Sequence, residues 1–142
     1  PEWIEVQNKN GFAISLKGWS FERSGTSGST DFLYKDGVIP GGKLAIFTGD
    51  PSSQEIGNAS VVYDLGASGF LGVGSMDGLD DNSGRLRMLF AEDDEGVGNQ
   101  VCKIEWNPST GILSNNTIVW NGGQPSQSSS WNVSQSPTPG EV

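Results

Sequence analysis

The strongest constraint on the fold of this chain is a spacing it lacks. No window of its 142 residues holds apolar side chains at i, i+3, i+4 and i+7 for three turns, so long amphipathic helices are excluded. In their place stand short runs in which apolar and polar residues alternate, each bounded by glycine, proline, asparagine or aspartate. Period two is the period of a strand with one buried face, and 21 glycines with 7 prolines supply the turns. The chain therefore reads as all-β. At 142 residues it is long enough for one core and too short for two sizeable ones, so residues 1–142 are expected to form a single domain.

Individual runs predict individual strands. Trp3-Ile4-Glu5-Val6 and Phe12-Ala13-Ile14-Ser15-Leu16 alternate, and Asn10-Gly11 between them has the residue types of a tight hairpin turn. These two strands are expected to pair antiparallel, with Phe12, Ile14 and Leu16 on one face. After Lys17-Gly18 the apolar parity moves to Trp19 and Phe21, which predicts a bulge. Ser24 to Thr30 reads as a loop and Asp31 to Tyr34 as a short strand. Val38 to Phe47, interrupted by Pro40-Gly41-Gly42, predicts a turn feeding a strand covered on both faces. Val61 to Leu65 is a further strand. Arg85 to Phe90 should turn Leu86, Met88 and Phe90 inward. Gln100 to Trp106 should do the same with Cys102, Ile104 and Trp106, the acidic Glu92 to Gly96 joining the two as a hairpin. Beyond Pro108 only Ile118-Val119-Trp120 has strand character. Residues 121–142 are a polar closing segment that composition assigns to a linker, while Trp131 within it argues for partial order. Seven or more short strands without crossover helices describe an immunoglobulin-like antiparallel β-sandwich.

Charge and chemistry then narrow the function. Seventeen acidic against eight basic residues give a net charge of −9, which repels nucleic acid, and Arg85 and Arg87 are flanked by Asp80, Asp81, Glu92 and Asp93. A lone cysteine, Cys102, without any histidine forms neither an internal disulfide nor a Cys/His dyad or zinc site. Sharing its face with Ile104 and Trp106, it is expected to be an inert, buried thiol. No apolar stretch has membrane-spanning length and no signal peptide precedes Pro1, so the chain reads as a soluble piece of a larger protein. Asp77, Asp80 or Glu92 are of the residue type used in glycosidic hydrolysis, but nothing draws a pair of them into a cleft, and the chain is not expected to be an enzyme.

Two binding chemistries remain. Asp77-Gly78-Leu79-Asp80-Asp81-Asn82 offers hard oxygen ligands beside glycine, which makes Asp77, Asp80 and Asp81 candidate ligands for a calcium cofactor. The spacing is not that of the helix-flanked calcium loop, and the same residues serve equally as turn formers and solvated aspartates. Tryptophans on apolar strand faces belong to a core, whereas Trp120 and Trp131 border polar sequence and are the candidates for a sugar-stacking platform.

Four elements, in order, carry a family resemblance. Trp3-Ile4-Glu5-Val6-Gln7-Asn8 followed by Leu16-Lys17-Gly18-Trp19 resembles the opening of lamin-tail domains. Val38-Ile39-Pro40-Gly41-Gly42-Lys43-Leu44-Ala45-Ile46-Phe47 resembles their Pro-Gly-x-x-Leu-x-Ile strand pair. Asp81-Asn82-Ser83-Gly84-Arg85-Leu86-Arg87-Met88-Leu89 is similar to the Asn-x-Gly-x-x-Leu-x-Leu strand, and Ser130-Trp131 with Thr138-Pro139-Gly140 to the ending of bacterial members. The resemblance implies a non-catalytic interaction or structural module of a secreted or cell-surface protein. Its partners would be neighbouring domains or another protein; the family sometimes binds nucleic acid, which the −9 charge argues against here, and no membrane is expected among the partners. The alternative is a carbohydrate-binding module using exposed tryptophan.

Overall fold

The structure, a computed structural model, describes residues 3–24, 29–32, 37–53, 61–66, 71, 79, 82–91, 99–107, 117–120 and 131–134. These form β1 (Trp3–Gln7), β2 (Ile14–Ser15), β3 (Trp19–Ser24), β4 (Ser29–Phe32), β5 (Val38–Ile39), β6 (Leu44–Thr48), β7 (Val61–Asp64), β8 (Gly84–Phe90), β9 (Asn99–Trp106), β10 (Thr117–Trp120) and β11 (Trp131–Ser134), with one 3-10 turn at Pro51–Ser53. The fold is all-β, as the alternating runs require, and its sheets are antiparallel except at one pairing. Two compact units divide the chain: Pro1–Lys17, Tyr34–Gly78 and Thr138–Val142, and Gly18–Leu33 with Leu79–Pro137.

In the first unit β6 is central in a sheet ordered β1-β6-β7, and β2 pairs with β5. All five residues of β6 are buried, which is why its sequence is continuously apolar and ends on the buried Thr48. Full burial of Ile46 and Phe47 contributes about 1.5–3 kcal/mol each. β7 runs parallel to β6, Ala45 facing Val61 and Thr48 facing Asp64, so this pairing departs from the antiparallel rule expected for the sheet. Residues 49–60 make that crossover without an α-helix among the described residues, beginning with a 3-10 turn that Asp50 caps by accepting from the Ser52 backbone N–H at 3.1 Å. Phe47 and Tyr63, partners in the parallel register, stack with ring centroids 5.1 Å apart.

The expected β1–β2 hairpin does not form. β1 pairs with β6 (Ile4 facing Phe47) and β2 with β5 (Ile14 facing Ile39). Asn10-Gly11 does lie in a bend, but the turn is organised by the buried Asn8 and sends the chain to another partner. Phe12 consequently leaves the face it was expected to share with Ile14 and Leu16: Leu16 is buried, while Phe12 is 68% exposed. Nor is there a bulge after Gly18. Lys17-Gly18 is a turn, Gly18 takes φ +84, and the next strand joins a different sheet, so the parity change marks a switch of sheet.

The second unit is a four-stranded sheet ordered β4-β3-β8-β9 and a two-stranded sheet of β10 and β11. β3 and β4 form a hairpin in which Arg23 faces Ser29, so the strand begins earlier than the Ser24 to Thr30 loop allowed. β8 and β9 are antiparallel partners as expected, and the acidic residues 92–98 between them lie outside the described residues. Leu86 and Trp106 are buried and Cys102, Ile104, Met88 and Phe90 half-buried; Leu89, of opposite parity, is buried too. Leu89 faces the buried Ser20 of β3, and the next residue Phe21, on the opposite face, is buried as well, so the central strands are covered on both faces here and alternation fails to report it. The ladder is irregular here: Met88 faces Cys102 and Leu89 faces Gln100, leaving Val101 as an extra residue, 50% exposed. Opposite Trp106 stands Gly84, where an added Cβ would lie 2.6 Å from the indole, so the ring occupies the space a side chain would need. β11 is a strand beyond Trp120 that sequence alternation did not signal.

Candidate functional site

The most organised polar cluster among the described residues is built on Asn8, 3% exposed and next in the chain after β1. Its Nδ2 donates to the carbonyl oxygens of Phe12 (2.8 Å), Ile39 (2.9 Å) and Pro40 (3.2 Å). Its Oδ1 accepts from the backbone N–H (3.0 Å) and Nδ2 (3.2 Å) of Asn10, the first being an Asx turn. Asparagine is the residue that can do both, because one planar group carries two donors and an acceptor. The Asn8 N–H itself donates to Lys43 O (2.9 Å), and Gly42 N–H to Asn10 O (3.0 Å). The loops before β2 and after β5 are thereby tied together. Their approach is close: a Cβ at Gly41 would stand 2.8 Å from Phe12 N.

This frame holds apolar side chains in solvent. Phe12 and Val38 are 68% and 44% exposed, and Ala13 and Pro40 are exposed beside them in sequence. Val38 is held by the Tyr63 hydroxyl, which accepts from its N–H and donates to its carbonyl, both at 3.0 Å. The exposed Lys9 and Lys43 flank the same loops. A large apolar side chain on a pinned loop loses little entropy on meeting a partner. Alternation of the apolar residues places Phe12 on a strand face. The signal it overlooked is the spacing Asn8-x-Asn10, which favours an Asx turn over a hairpin.

In the second unit one carboxylate of β3, Glu22, draws in two arginines of β8. Glu22 Oε1 accepts from Arg85 Nη2 at 3.2 Å and from Arg87 Nε at 2.9 Å, and contacts Arg87 Nη2 as well. Glu22 faces Arg87 in the register, so the cluster follows from strand pairing. Lys103 and Glu105 of β9 form a further pair at 3.3 Å. The guanidinium groups are thus turned to an internal carboxylate. Burial pushes the Cys102 thiol above its ordinary value by penalising the thiolate, the direction opposite to that of a reactive cysteine.

Of the residues singled out by sequence, Asp77, Asp80 and Asp81 lie outside the described residues, as does Glu92. Among the described residues no three acidic, thiol or imidazole groups converge as metal ligands, and no helix is long and apolar enough to cross a membrane. Trp106 is a core residue, 4% exposed, and Trp19 packs on Phe90 with centroids 5.0 Å apart. Trp120 and Trp131 are brought together as partners in the β10–β11 register. No protein-family model matches the chain, and no curated protein matches it.

Proposed function

We propose that this chain is a non-catalytic interaction module of the lamin-tail kind, working within a larger secreted or surface protein and docking a neighbouring domain or partner protein through the Phe12 surface. The observation that carries the reading is Phe12 itself, 68% exposed on a loop pinned by Asn8. An aromatic side chain held out on a rigid loop has the character of an interface anchor: it buries a large area on contact and loses few rotamers in doing so. Val38, Ala13 and Pro40 extend the apolar surface, and Lys9 and Lys43 suit it to a partner with an acidic rim. The net charge of −9 and the commitment of Arg85 and Arg87 to Glu22 speak against a nucleic-acid partner.

The test is site-specific photo-cross-linking. With p-benzoylphenylalanine at position 12 of the protein in its native host, irradiation should yield one discrete adduct, either to a partner protein or to another region of its own polypeptide. The same probe at Val101, exposed in the other unit, should not give that adduct. Equal, diffuse labelling from both positions would refute docking at Phe12.

A further inference from the structure

We propose that Asn10 is a site of spontaneous covalent modification: the Asn10-Gly11 peptide closes on the Asn10 side chain, releases ammonia and opens to aspartate or isoaspartate, and the isoaspartyl product unpins the loop that carries Phe12. This chemistry stands whether or not Phe12 docks a partner. It needs an unbonded amide as nucleophile, a carboxamide that water reaches, and no side chain crowding the ring that forms. All three meet here. The Asn10 carbonyl accepts from the Gly42 N–H at 3.0 Å; across that trans peptide the Gly11 N–H points the other way and has no acceptor among the described residues. Asn10 and Gly11 are both exposed. An added Cβ at Gly11 meets nothing within 4 Å and its φ is not left-handed, so neither packing nor backbone conformation demands glycine at this position. Lys9 and Lys43, exposed beside the loop, favour loss of the amide proton. The other described asparagines each lack a requirement. Asn8 is buried, Asn107 precedes Pro108, which has no N–H, and Asn82 and Asn99 precede Ser83 and Gln100, whose side chains hinder the ring.

In the first step the Gly11 nitrogen, having given up its proton, bonds to Asn10 Cγ. The Cγ–Nδ2 bond breaks and Nδ2 leaves as ammonia with a proton returned from water. Water then opens the cyclic imide. Attack at Cγ restores the ordinary backbone with aspartate; attack at the main-chain carbonyl leaves the chain running through Cγ, as isoaspartate. One water is consumed and one ammonia released, and no oxidant or cofactor enters. One contact resists closure: Asn10 Nδ2 donates to Asn8 Oδ1 at 3.2 Å, a long, part-buried bond whose release slows the reaction by about tenfold at most. The product matters because the Asn10 backbone is held on both sides, its N–H by Asn8 Oδ1 at 3.0 Å and its carbonyl by the Gly42 N–H. Isoaspartate adds one backbone atom between Asn10 Cα and Gly11 N, so the path that leads from these contacts into Phe12 changes. It also sets a carboxylate beside Asn8 Oδ1, where an amide had donated. The Asx turn loosens.

The experiment incubates the purified chain, native and urea-denatured, in mildly alkaline buffer at body temperature. Peptide mapping by mass spectrometry follows each asparagine, and electron-transfer fragmentation tells isoaspartate from aspartate. Asn10 should convert in the native chain at a rate no more than about tenfold below that in the denatured chain, while Asn8, Asn82 and Asn99 stay intact. Gly11→Ala, for which there is space, should lose the conversion without unfolding the chain. Asn10 that stays intact in the native chain while converting in the denatured one overturns the site, as does undiminished conversion in Gly11→Ala. The unpinning has its own readout in the isoaspartyl form, separated by anion exchange. Its Asn10 and Gly42 amides, hydrogen-bonded in the unmodified chain, should exchange hydrogen several-fold faster than before modification. Unchanged exchange at both amides overturns the unpinning.

Discussion

Replacing Asn8 tests the central packing argument. In Asn8→Ala the buried carbonyl of Ile39 loses its donor, at a cost of about 1–3 kcal/mol for a desolvated, unpaired group. The contacts to Phe12, Pro40 and Asn10 are part-buried, so water replaces them in part and each contributes about 0.5 kcal/mol. The sum is roughly 3 kcal/mol. For a chain of this length each kcal/mol shifts the midpoint by about 3–4 °C, so Tm should fall by about 10 °C. Asn8→Asp is the sharper variant. It keeps the size and the acceptor for Asn10 but loses both donors and sets a carboxylate against three carbonyl oxygens. At about pH 7 it should be less stable than the alanine variant, because an unpaired buried charge costs more than a missing bond. Those carbonyls disfavour the charged form, so the introduced carboxyl has a folded-state pKa above its unfolded one, and the folded state gains stability as protons bind on acidification. Lowering the pH to about 5 should therefore narrow the gap between the two variants. Thermal unfolding followed by circular dichroism reads all three quantities. A loss under about 1 kcal/mol for Asn8→Ala, or an aspartate variant no worse than alanine at neutral pH, would refute the role assigned to this side chain.

Other positions make independent predictions. Gly18→Ala should cost more than about 3 kcal/mol, because φ is +84 and its Cβ would stand 2.2 Å from the Ala91 carbonyl oxygen. Gly42→Ala, at φ +70 with open space around it, should cost only about 1 kcal/mol; equal losses in chemical denaturation would contradict this. Glu22→Gln should remove about 1 kcal/mol, a modest figure because Arg85 and Arg87 are 35% and 26% exposed, and added salt should shrink the difference from wild type. A loss that is indifferent to salt would mean the cluster acts by shape alone. Cys102 should react with a disulfide reagent far more slowly in the native than in the unfolded chain. Its raised thiol stabilises the fold below the ordinary thiol value, and that contribution is lost as pH rises through the folded value. Equal native and unfolded rates, measured spectrophotometrically, would contradict the burial.

The class of the fold was legible in the sequence because period two is a local property. Glycine and proline punctuation located most strands, and the apolar run Leu44 to Phe47 announced a strand buried on both faces. Partner choice was not legible. β1 and β2 carry the residues of a hairpin, yet each pairs elsewhere, since register is decided by which faces must be covered and which carbonyls the buried Asn8 must satisfy. The parallel β6–β7 pairing, the sheet switch at Gly18 and the burial of Leu89 are likewise properties of neighbours distant in the chain. The same division holds for the surfaces. Sequence nominated Trp120 and Trp131 by their polar surroundings, but only strand pairing set them opposite each other. It read Phe12 as part of a strand, and only the hydrogen bonds of Asn8, reaching across to Ile39 and Pro40, turned that side chain out into solvent.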